Sequence, residues 1–263
     1  MTDTTLPAPI DCAHWESGDG EPLFLIHGIG ASHATWDGVV EGLGGRYRCI
    51  TYDLRGHGVS PLPDGTFDLA ALVSDLEALR SRLGIESAHF AGHSLGGMIG
   101  PAYALHFPER VRTLGLLSTA AGRTDEDKAK VQGVVAAMER DGIPKILSTL
   151  VDRWYTDEFA RNNPDVVKAR LAQITGMSAE VFLTVFHIYA ETEMAPWLHK
   201  VAAPSLVLTG ELDGGCNPRL NRFIDSQLPN SELVILEGLK HSILMEAPDA
   251  VAGHLDRFIK AHG

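Results

Sequence analysis

The sequence has few cysteines and no long apolar run, and each shortage excludes a class of protein. Its three cysteines among 263 residues are odd in number and far apart, which favours free thiols in a reducing compartment over a disulfide framework. No apolar run approaches the roughly 20 residues that a membrane-spanning helix needs. The polar, proline-containing stretch 1–10 lacks the basic and apolar regions of a signal peptide. We therefore expect a cytoplasmic protein with no membrane partner.

Basic residues are also scarce. The chain has 22 Lys and Arg against 34 Asp and Glu, a formal net charge of −12, which disfavours nucleic acid and anionic membranes as partners. No spacing of His, Cys, Asp or Glu is typical of a zinc site, and Gly28 and Gly30 are not followed by the third glycine of a dinucleotide-binding loop. We expect no metal and no cofactor, and a small-molecule substrate as the partner. The sequence carries no signal for an oligomeric state.

Short apolar runs alternate with helical patterns along most of the chain. The runs have the length and composition of strands, and the first of them is typical of a strand that is buried on both faces. They lie at 22–26, 47–52, 88–91, 112–119, 204–210 and 232–236. Helical periodicity follows several of them, most clearly over 67–83, and a closing helix is predicted over 247–259. The alternation indicates an α/β fold with a mostly parallel central sheet and helices on both faces.

The alternation is interrupted between residues 122 and 197. Amphipathic helical runs such as Val131–Met138 and Val166–Leu171 fill this stretch, and no strand pattern occurs in it. Its length, roughly 75 residues, is small for an independent domain. We therefore predict one α/β core made of residues 1–121 and 198–263, with an inserted helical lid, or cap, of residues 122–197.

A candidate nucleophile lies where one strand pattern gives way to a helical pattern. The stretch Gly92-His93-Ser94-Leu95-Gly96 has the Gly-x-Ser-x-Gly pattern of a serine at a sharp, strained turn. The two glycines let neighbouring backbone pass close to that turn. A serine hydroxyl is a weak nucleophile at neutral pH, so Ser94 needs a base, an acid that orients the base, and donors for an oxyanion.

The base and the acid are expected after Ser94, in the order serine, acid, histidine. Of the histidines that follow Ser94, His241 is the one in a loop after the last predicted strand, and we predict it as the base. Glu211 and Asp213 both follow the strand pattern at 204–210, and either fits the role of the acid. We prefer Asp213, because it lies further along the loop and precedes two glycines.

Two backbone N–H groups are needed to hold an oxyanion. Leu95 follows the nucleophile at the predicted start of a helix, so its N–H is one candidate. The second is expected from the loop after the first core strand, His27-Gly28-Ile29-Gly30. We predict the N–H groups of Leu95 and Ile29 as the oxyanion hole.

Other polar residues are interpreted as structural. In the stretch Asp53-Leu54-Arg55-Gly56-His57-Gly58, Asp53 is expected to fix a turn through backbone hydrogen bonds, and Arg55 is expected to pair with a carboxylate. His93 is expected to pack or hydrogen-bond beneath Ser94. Cys216 has no basic neighbour in the sequence, so we expect an unreactive thiol.

Together these motifs resemble the α/β-hydrolase superfamily in its capped form, over nearly the whole chain. Within it, the chain is most similar to 3-oxoadipate enol-lactonases and related bacterial serine ester and lactone hydrolases. The residues that carry this second resemblance are 94–100 and the lid segment 153–164. The His27–Gly30 loop departs from the Asn-Ser-Leu-Gly type of those enzymes. In that family a lid tryptophan lines the substrate pocket, and Trp154 matches it.

The resemblance implies the α/β-hydrolase fold and a serine hydrolase that cleaves a small carboxylic ester or lactone through an acyl-enzyme on Ser94. We predict Trp154, His187 and Arg123 as substrate-binding residues. His187 lies in the lid, and Arg123 or Arg153 would bind the carboxylate of an anionic lactone. Two alternatives keep the same triad: a C–C bond hydrolase of a ring-cleavage product, and a non-catalytic receptor that binds a small molecule in the pocket.

Overall fold

The computed structural model of the chain describes residues 6–263. Residues 1–5, which the sequence analysis assigned to the start of the core, lie outside the described residues. Seven strands form one sheet over the described part of the chain: β1 (His14–Ser17), β2 (Glu21–Ile26), β3 (Tyr47–Tyr52), β4 (Ala88–His93), β5 (Val111–Leu117), β6 (Ser205–Gly210) and β7 (Ser231–Leu236). Six of them coincide, within one or two residues at most ends, with the predicted apolar runs.

Eleven α-helices accompany the strands in the described residues. They are α1 (Asp37–Leu43), α2 (Leu69–Arg82), α3 (Gly96–His106), α4 (Asp125–Asp141), α5 (Ile143–Trp154), α6 (Asp157–Asn162), α7 (Pro164–Gly176), α8 (Ala179–Glu191), α9 (Pro218–Gln227), α10 (Ile243–Glu246) and α11 (Pro248–His262). Helix α2 begins where the Asp68 carboxylate caps the N–H of Ala71. Helix α9 begins in the same way at Asn217, which caps Leu220.

The sheet has the order β1-β3-β2-β4-β5-β6-β7. All neighbouring strands pair in parallel except β1, which pairs with β3 in the antiparallel direction. The carboxyl ends of β2, β4, β6 and β7 therefore meet along one edge of the sheet, which is where parallel α/β sheets place their sites. The mostly parallel sheet predicted from the sequence is confirmed.

Helices cover both faces of the sheet, as predicted. Along β2, Leu23 and Leu25 face one layer, and Phe24 and Ile26 face the other, because successive side chains of a strand point to opposite faces. The first layer contains α1, α10 and α11, and the second contains α2, α3 and α9. All four β2 side chains are fully buried, so β2 is a central strand with a continuous apolar sequence.

Helices α4 to α8 lie between β5 and β6, and we call residues 125–191 the helical insert. Its helices share a small apolar core of their own, made of Met138, Ile143, Leu147, Leu150, Ile174 and Phe182. A capping box at Thr124 and Asp127 begins α4, which explains the sharp change from loop to helix. These helices fall inside the predicted lid, residues 122–197, whose limits as a structural unit stay a prediction.

The helical insert is joined to the core beside the loop that follows β7. The N–H of Ser242 donates to the Trp154 carbonyl at 2.8 Å. The Thr156 hydroxyl donates to a carboxylate oxygen of Glu246 at 2.6 Å, and the N–H of Thr156 donates to the other oxygen at 3.1 Å. The end of α5 is therefore held against the loop that carries His241.

The Asp53–Gly58 stretch is structural, as the sequence predicted. The Asp53 carboxylate accepts from the N–H of His33 at 2.8 Å and from the N–H of Val59 at 3.0 Å, which fixes the turn after β3. Arg55 makes a bidentate pair with Asp75 on α2, with N–O distances of 2.7 and 2.6 Å. Both members of that pair are buried.

None of the described helices is, by itself, long and apolar enough to cross a membrane. The pair α7 and α8 meets the length and composition requirement jointly, with a bend of 102° between the two helices.

Candidate active site

Ser94 lies at a strained turn between β4 and α3. Its φ angle is 56°, in the left-handed region that residues other than glycine rarely adopt. A side chain on Gly92 would collide with the backbone at Gly96, and one on Gly96 would collide with the Ile26 carbonyl at the end of β2. The two glycines therefore allow the turn to pack against the neighbouring strand, and the Ser94 hydroxyl is placed at the carboxyl edge of the sheet.

His241 and Asp213 form a hydrogen-bonded pair at the same edge. Asp213 follows β6, His241 follows β7, and His241 Nδ1 lies 2.7 Å from Asp213 Oδ2. The other carboxylate oxygen accepts from the N–H groups of Gly215 at 2.9 Å and Cys216 at 2.8 Å. Asp213 is only 2% exposed, so these bonds hold the carboxylate in one orientation and place the proton of neutral His241 on Nδ1.

The pair shifts the pKa of each member in opposite directions. Burial of Asp213 would raise its pKa, but the nearby charge of His241 and the hydrogen bonds to the carboxylate lower it. Burial of His241 would lower its pKa, but the Asp213 carboxylate outweighs burial and raises it. Asp213 therefore stays ionised and increases the basicity of the imidazole.

His93 packs against this pair and hydrogen-bonds to it. Burial lowers the pKa of His93 to about 3, so the ring is neutral. Its Nε2 donates to the His241 carbonyl oxygen at 2.9 Å, and the two rings lie 4.8 Å apart. His93 thus packs and hydrogen-bonds beside Ser94, as the sequence predicted.

Two buried histidines hold the loop after β2. His27 Nδ1 donates to the Gly28 carbonyl at 2.8 Å, and its Nε2 accepts from the N–H of Leu54 at 3.0 Å. His57 Nε2 accepts from the N–H of Gly30 at 3.1 Å. Burial lowers the pKa of His27 well below its ordinary value and that of His57 to about 4, so both rings are neutral and serve as fixed donors and acceptors.

The N–H groups of Ile29 and Leu95 remain available beside Ser94. Within residues 6–263, neither of them has a hydrogen-bond acceptor. Leu95 directly precedes α3, where the first N–H groups of a helix lack intrahelical partners. The structure therefore brings both predicted oxyanion donors to the region of Ser94 with unsatisfied N–H groups.

A cavity of about 460 Å³ lies between the core and the helical insert. Its wall includes Ser94, Asp213 and His241 from the core and Trp154 from the insert, which are four of the six predicted site residues that line it. Further lining residues come from both parts: Ile29, Arg123, Val131, Val134, Leu150, Arg153, Arg170, Phe186, Tyr189, Cys216 and Met245. The mixture of apolar side chains and a few polar groups suits a small organic molecule.

Arg123 lies in the cavity wall with one free nitrogen. The residue is 6% exposed, its Nη1 donates to the Thr192 carbonyl at 2.9 Å, and its guanidinium lies 4.5 Å from the centre of the Tyr189 ring. Its Nη2 is buried and has no hydrogen-bond partner in the part of the chain that the structure describes. A buried donor without an acceptor is costly, so an acceptor on a bound molecule would relieve that cost.

His187 does not line this cavity. It lies on the other side of the insert, half-exposed, with Nε2 2.9 Å from Glu139 and Nδ1 3.3 Å from Glu191. The hydrogen bond that the His187 ring donates to Glu139 is the main reason that the pKa of His187 is raised. We therefore do not retain His187 in the site.

The structure places Cys216 close to a basic residue, His241, and the unreactive thiol expected from the sequence stays a prediction. The sequence shows no basic neighbour, but the structure places potential metal-binding atoms of Cys216, Asp213 and His241 within 4.8 Å of one another. His241 comes from a loop that is distant in sequence, and local spacing therefore did not reveal it. We attribute the cluster to the His241–Asp213 pair, because Asp213 Oδ2 already bonds to His241.

Arg170 is a charged residue of the cavity wall that was not predicted from the sequence as part of the site. Its guanidinium hydrogen-bonds the loop after β2 and lies 5.5 Å from the centre of the Trp154 ring. A signal was present, because Val166, Arg170 and Ile174 recur at the spacing of four that marks one face of a helix. An arginine on the apolar face of a helix is expected to point into the protein and to bond to polar groups there.

The raised pKa of His241 predicts the pH dependence of any reaction in which this residue is the base. Only the unprotonated ring accepts a proton, so activity is lost as the pH falls through the pKa of His241. Because Asp213 raises that pKa above its ordinary value of 6.5, the acid limb of kcat/KM is expected to have its midpoint above pH 6.5. The check is a pH profile of kcat/KM with an uncharged ester, and a midpoint below 6.5 would contradict it.

The sheet, its helices and the strained serine define a class of protein. The chain matches the model of the alpha/beta hydrolase fold family over residues 21–248. It therefore belongs to the α/β-hydrolase family, and it is a hydrolase.

Named relatives lie among lactonases and esterases. The chain is 30% identical to 3-oxoadipate enol-lactonase 2 of Acinetobacter baylyi over 251 residues, which cover 95% of this chain and 92% of that protein. Among solved structures, it is similar to a thermophilic esterase from Thermogutta terrifontis with malate bound. The TM-score is 0.86 at 27% identity, and the match covers 97% of this chain and 95% of the esterase. The enol-lactonase from Burkholderia xenovorans LB400, at 22% identity, has a TM-score of 0.86 over 95% and 96% of the two chains and shows the same fold.

Proposed function

We propose that this protein is a serine hydrolase that cleaves small carboxylic esters or lactones through an acyl-enzyme on Ser94. The observation that carries the proposal is one cavity that contains Ser94 at its strained turn and the hydrogen-bonded pair His241–Asp213. The lactonase and esterase relatives support the same reaction type. The helical insert would act as the lid of this cavity, with Trp154 against the substrate.

In the first half of the reaction, His241 removes the proton of the Ser94 hydroxyl as the oxygen attacks the substrate carbonyl. The tetrahedral intermediate carries a negative oxygen, which the N–H groups of Ile29 and Leu95 stabilise. Asp213 orients the imidazole and stabilises its positive charge. His241 then returns the proton to the leaving alkoxide, and an acyl-Ser94 ester remains.

In the second half, His241 activates a water molecule that attacks the acyl-Ser94 carbonyl. The same N–H groups hold the second oxyanion, and the proton passes through His241 back to the Ser94 oxygen. A lactone yields one hydroxy acid, or one keto acid when the ring is an enol-lactone, and a linear ester yields an acid and an alcohol. Ser94, His241, Asp213 and Ile29 line the one cavity, and Leu95 follows Ser94 in the chain.

We further propose that the substrate carries a carboxylate, which Arg123 binds. The support is its buried Nη2 without a partner, beside a cavity that also contains Ser94. The Thermogutta terrifontis esterase was solved with malate, a dicarboxylate, which agrees with an anionic ligand in a related protein. A guanidinium suits this role because it stays charged, and its free Nη2 can donate a charge-assisted hydrogen bond to a carboxylate.

A panel of substrates tests the reaction type. We expect the wild-type protein to hydrolyse p-nitrophenyl butyrate, an uncharged lactone and a carboxylate-bearing enol-lactone, with the highest kcat/KM for the anionic lactone.

A dienoic ring-cleavage product serves as the probe for C–C hydrolysis. If the protein turned over that compound and none of the others, it would be a C–C hydrolase. If it bound these compounds and turned over none of them, it would be a receptor.

Replacing Arg123 with methionine tests the carboxylate site. The matched substrates are p-nitrophenyl hemisuccinate and p-nitrophenyl butyrate, whose acyl chains have the same length and differ in the terminal carboxylate. Because a charge-assisted hydrogen bond is lost, we expect KM for the hemisuccinate to rise about 10- to 100-fold. KM for the butyrate should change little. An equal rise for both esters would show that Arg123 acts only through packing.

A further inference from the structure

We propose that Arg170 is a positioning residue for the oxyanion hole, so that the helical insert completes the catalytic centre as well as covering it. The inference rests on the proposed function, because it concerns the same acyl transfer. Its basis is a direct connection between α7 of the insert and the loop after β2, through the Arg170 guanidinium and the carbonyls of Ile29 and Gly30.

The Ile29–Gly30 peptide is held at both of its polar atoms. Arg170 Nη2 donates to the Ile29 carbonyl oxygen at 2.8 Å, and the N–H of Gly30 donates to His57 Nε2 at 3.1 Å. Arg170 Nη1 also donates to the Gly30 carbonyl oxygen. Since the plane of this peptide is fixed from two sides, the backbone that leaves Ile29 has one orientation.

The preceding peptide, Gly28–Ile29, is held at its carbonyl. The Gly28 oxygen accepts from His27 Nδ1 at 2.8 Å and from the N–H of Ala31 at 3.2 Å. Its other polar atom is the N–H of Ile29, the proposed oxyanion donor, which has no acceptor among residues 6–263. The direction of this donor therefore depends on two fixed peptides, and Arg170 fixes one of them.

The helical insert also packs against this loop. The Ile29 side chain contacts the apolar core of the insert. Gly30 has a φ angle of 61°, and a side chain on it would meet Phe182 and Ile174 of the insert. Arg170 is thus the polar part of a contact that is otherwise apolar, and it is the part that specifies the direction of the peptide groups.

Arg170 carries a charge that no carboxylate of the described residues neutralises by an ion pair. Its hydrogen-bond partners are the two carbonyls and the side-chain oxygen of Gln173, at 3.1 Å. Burial lowers its pKa to about 10, which still leaves the guanidinium protonated at neutral pH. Three effects lower the pKa of His93, which lies beside Ser94: burial first, then the charge of His241, and then the charge of Arg170. A positive field in this part of the cavity favours a negative oxygen there.

The test compares Arg170→Met and Arg170→Lys with Arg161→Met, an exposed arginine of the same insert. The measurements are kcat and KM for p-nitrophenyl butyrate and p-nitrophenyl hemisuccinate, together with inhibition by phenylboronic acid, whose tetrahedral serine adduct places a negative oxygen in the oxyanion hole. Loss of one oxyanion donor costs about 10²- to 10³-fold in kcat. We expect Arg170→Met to lower kcat about 10²-fold on both esters, with little change in KM and with weaker boronate inhibition. Arg170→Lys should recover part of the loss, and Arg161→Met should match the wild type.

The outcomes separate this inference from the proposed function. Wild-type kcat and wild-type boronate inhibition in Arg170→Met would overturn the positioning role and leave the serine hydrolase intact. A rise in KM for the hemisuccinate alone would make Arg170 a substrate carboxylate ligand, which also overturns it. No turnover of either ester by the wild-type protein would overturn the proposed function itself. If Arg170→Met does not fold, Arg170→Lys decides by the same kinetic and boronate criteria.

Discussion

Replacing Ser94 with alanine is expected to lower kcat for ester and lactone hydrolysis by about 10⁴- to 10⁶-fold. Alanine keeps the size and backbone of the turn and removes only the hydroxyl, so the cavity and the His241–Asp213 pair should persist. The reaction would then lose the acyl-enzyme route and keep only what the oxyanion donors and substrate binding supply. The measurement is steady-state turnover of p-nitrophenyl butyrate and an enol-lactone.

Ser118 provides a matched control for this substitution. It follows β5 at the same edge of the sheet and has a left-handed φ angle of 44°, so it is a second buried serine with a strained backbone. Its hydroxyl lies 3.4 Å from Thr209 Oγ1. Ser118→Ala should keep most of the wild-type rate. If Ser118→Ala lost as much activity as Ser94→Ala, the loss of a buried hydroxyl at this sheet edge, and not the loss of a nucleophile, would explain the effect.

Replacing Asp213 with asparagine is expected to lower kcat by about 10⁴-fold. The side chain keeps its shape, but an amide cannot stabilise the charged imidazole, and it favours the wrong tautomer of His241. Asp213 is buried and makes three hydrogen bonds, so another carboxylate cannot easily move in and take its place. The measurement is kcat for the two p-nitrophenyl esters, with folding verified by circular dichroism.

Glu211 is the control for Asp213, because the sequence alone left both carboxylates as candidates for the acid. In the structure Glu211 is exposed, and its carboxylate accepts from the N–H of Gly238 at 3.0 Å. Glu211→Gln should therefore retain most of the wild-type kcat. A large loss in Glu211→Gln with a small loss in Asp213→Asn would reassign the acid.

The parts of the fold that the sequence predicted are those with a local signal. Strands β2 to β7 lie in short, mostly apolar runs, and the Gly-x-Ser-x-Gly pattern marks the turn at Ser94 because close packing of the backbone requires the two glycines. Positions along the chain then indicated Asp213 and His241, since each follows a strand whose carboxyl end meets the same sheet edge. The structure places these two residues in contact at 2.7 Å.

The helical insert was the least predictable part, for a physical reason. Periodicity shows which face of a helix is apolar, but the angles at which five short helices pack depend on contacts between residues far apart in sequence. Trp154 and Arg123 were predicted near the substrate, and both line the cavity. His187 lies on the other side of α8, and Arg170 reaches the loop after β2 from a helix about 140 residues away.

Covalent labelling tests the central claim most directly, because it reports the nucleophile without assuming a substrate. The wild-type protein is treated with a fluorophosphonate, digested, and analysed by peptide mass spectrometry, with the Ser94→Ala and Ser118→Ala variants in parallel. We predict one phosphonylated residue, Ser94, in the wild type and in Ser118→Ala, and no label in Ser94→Ala. An unlabelled wild-type protein, or a label that persists on another residue in Ser94→Ala, would contradict the assignment of Ser94 as the nucleophile.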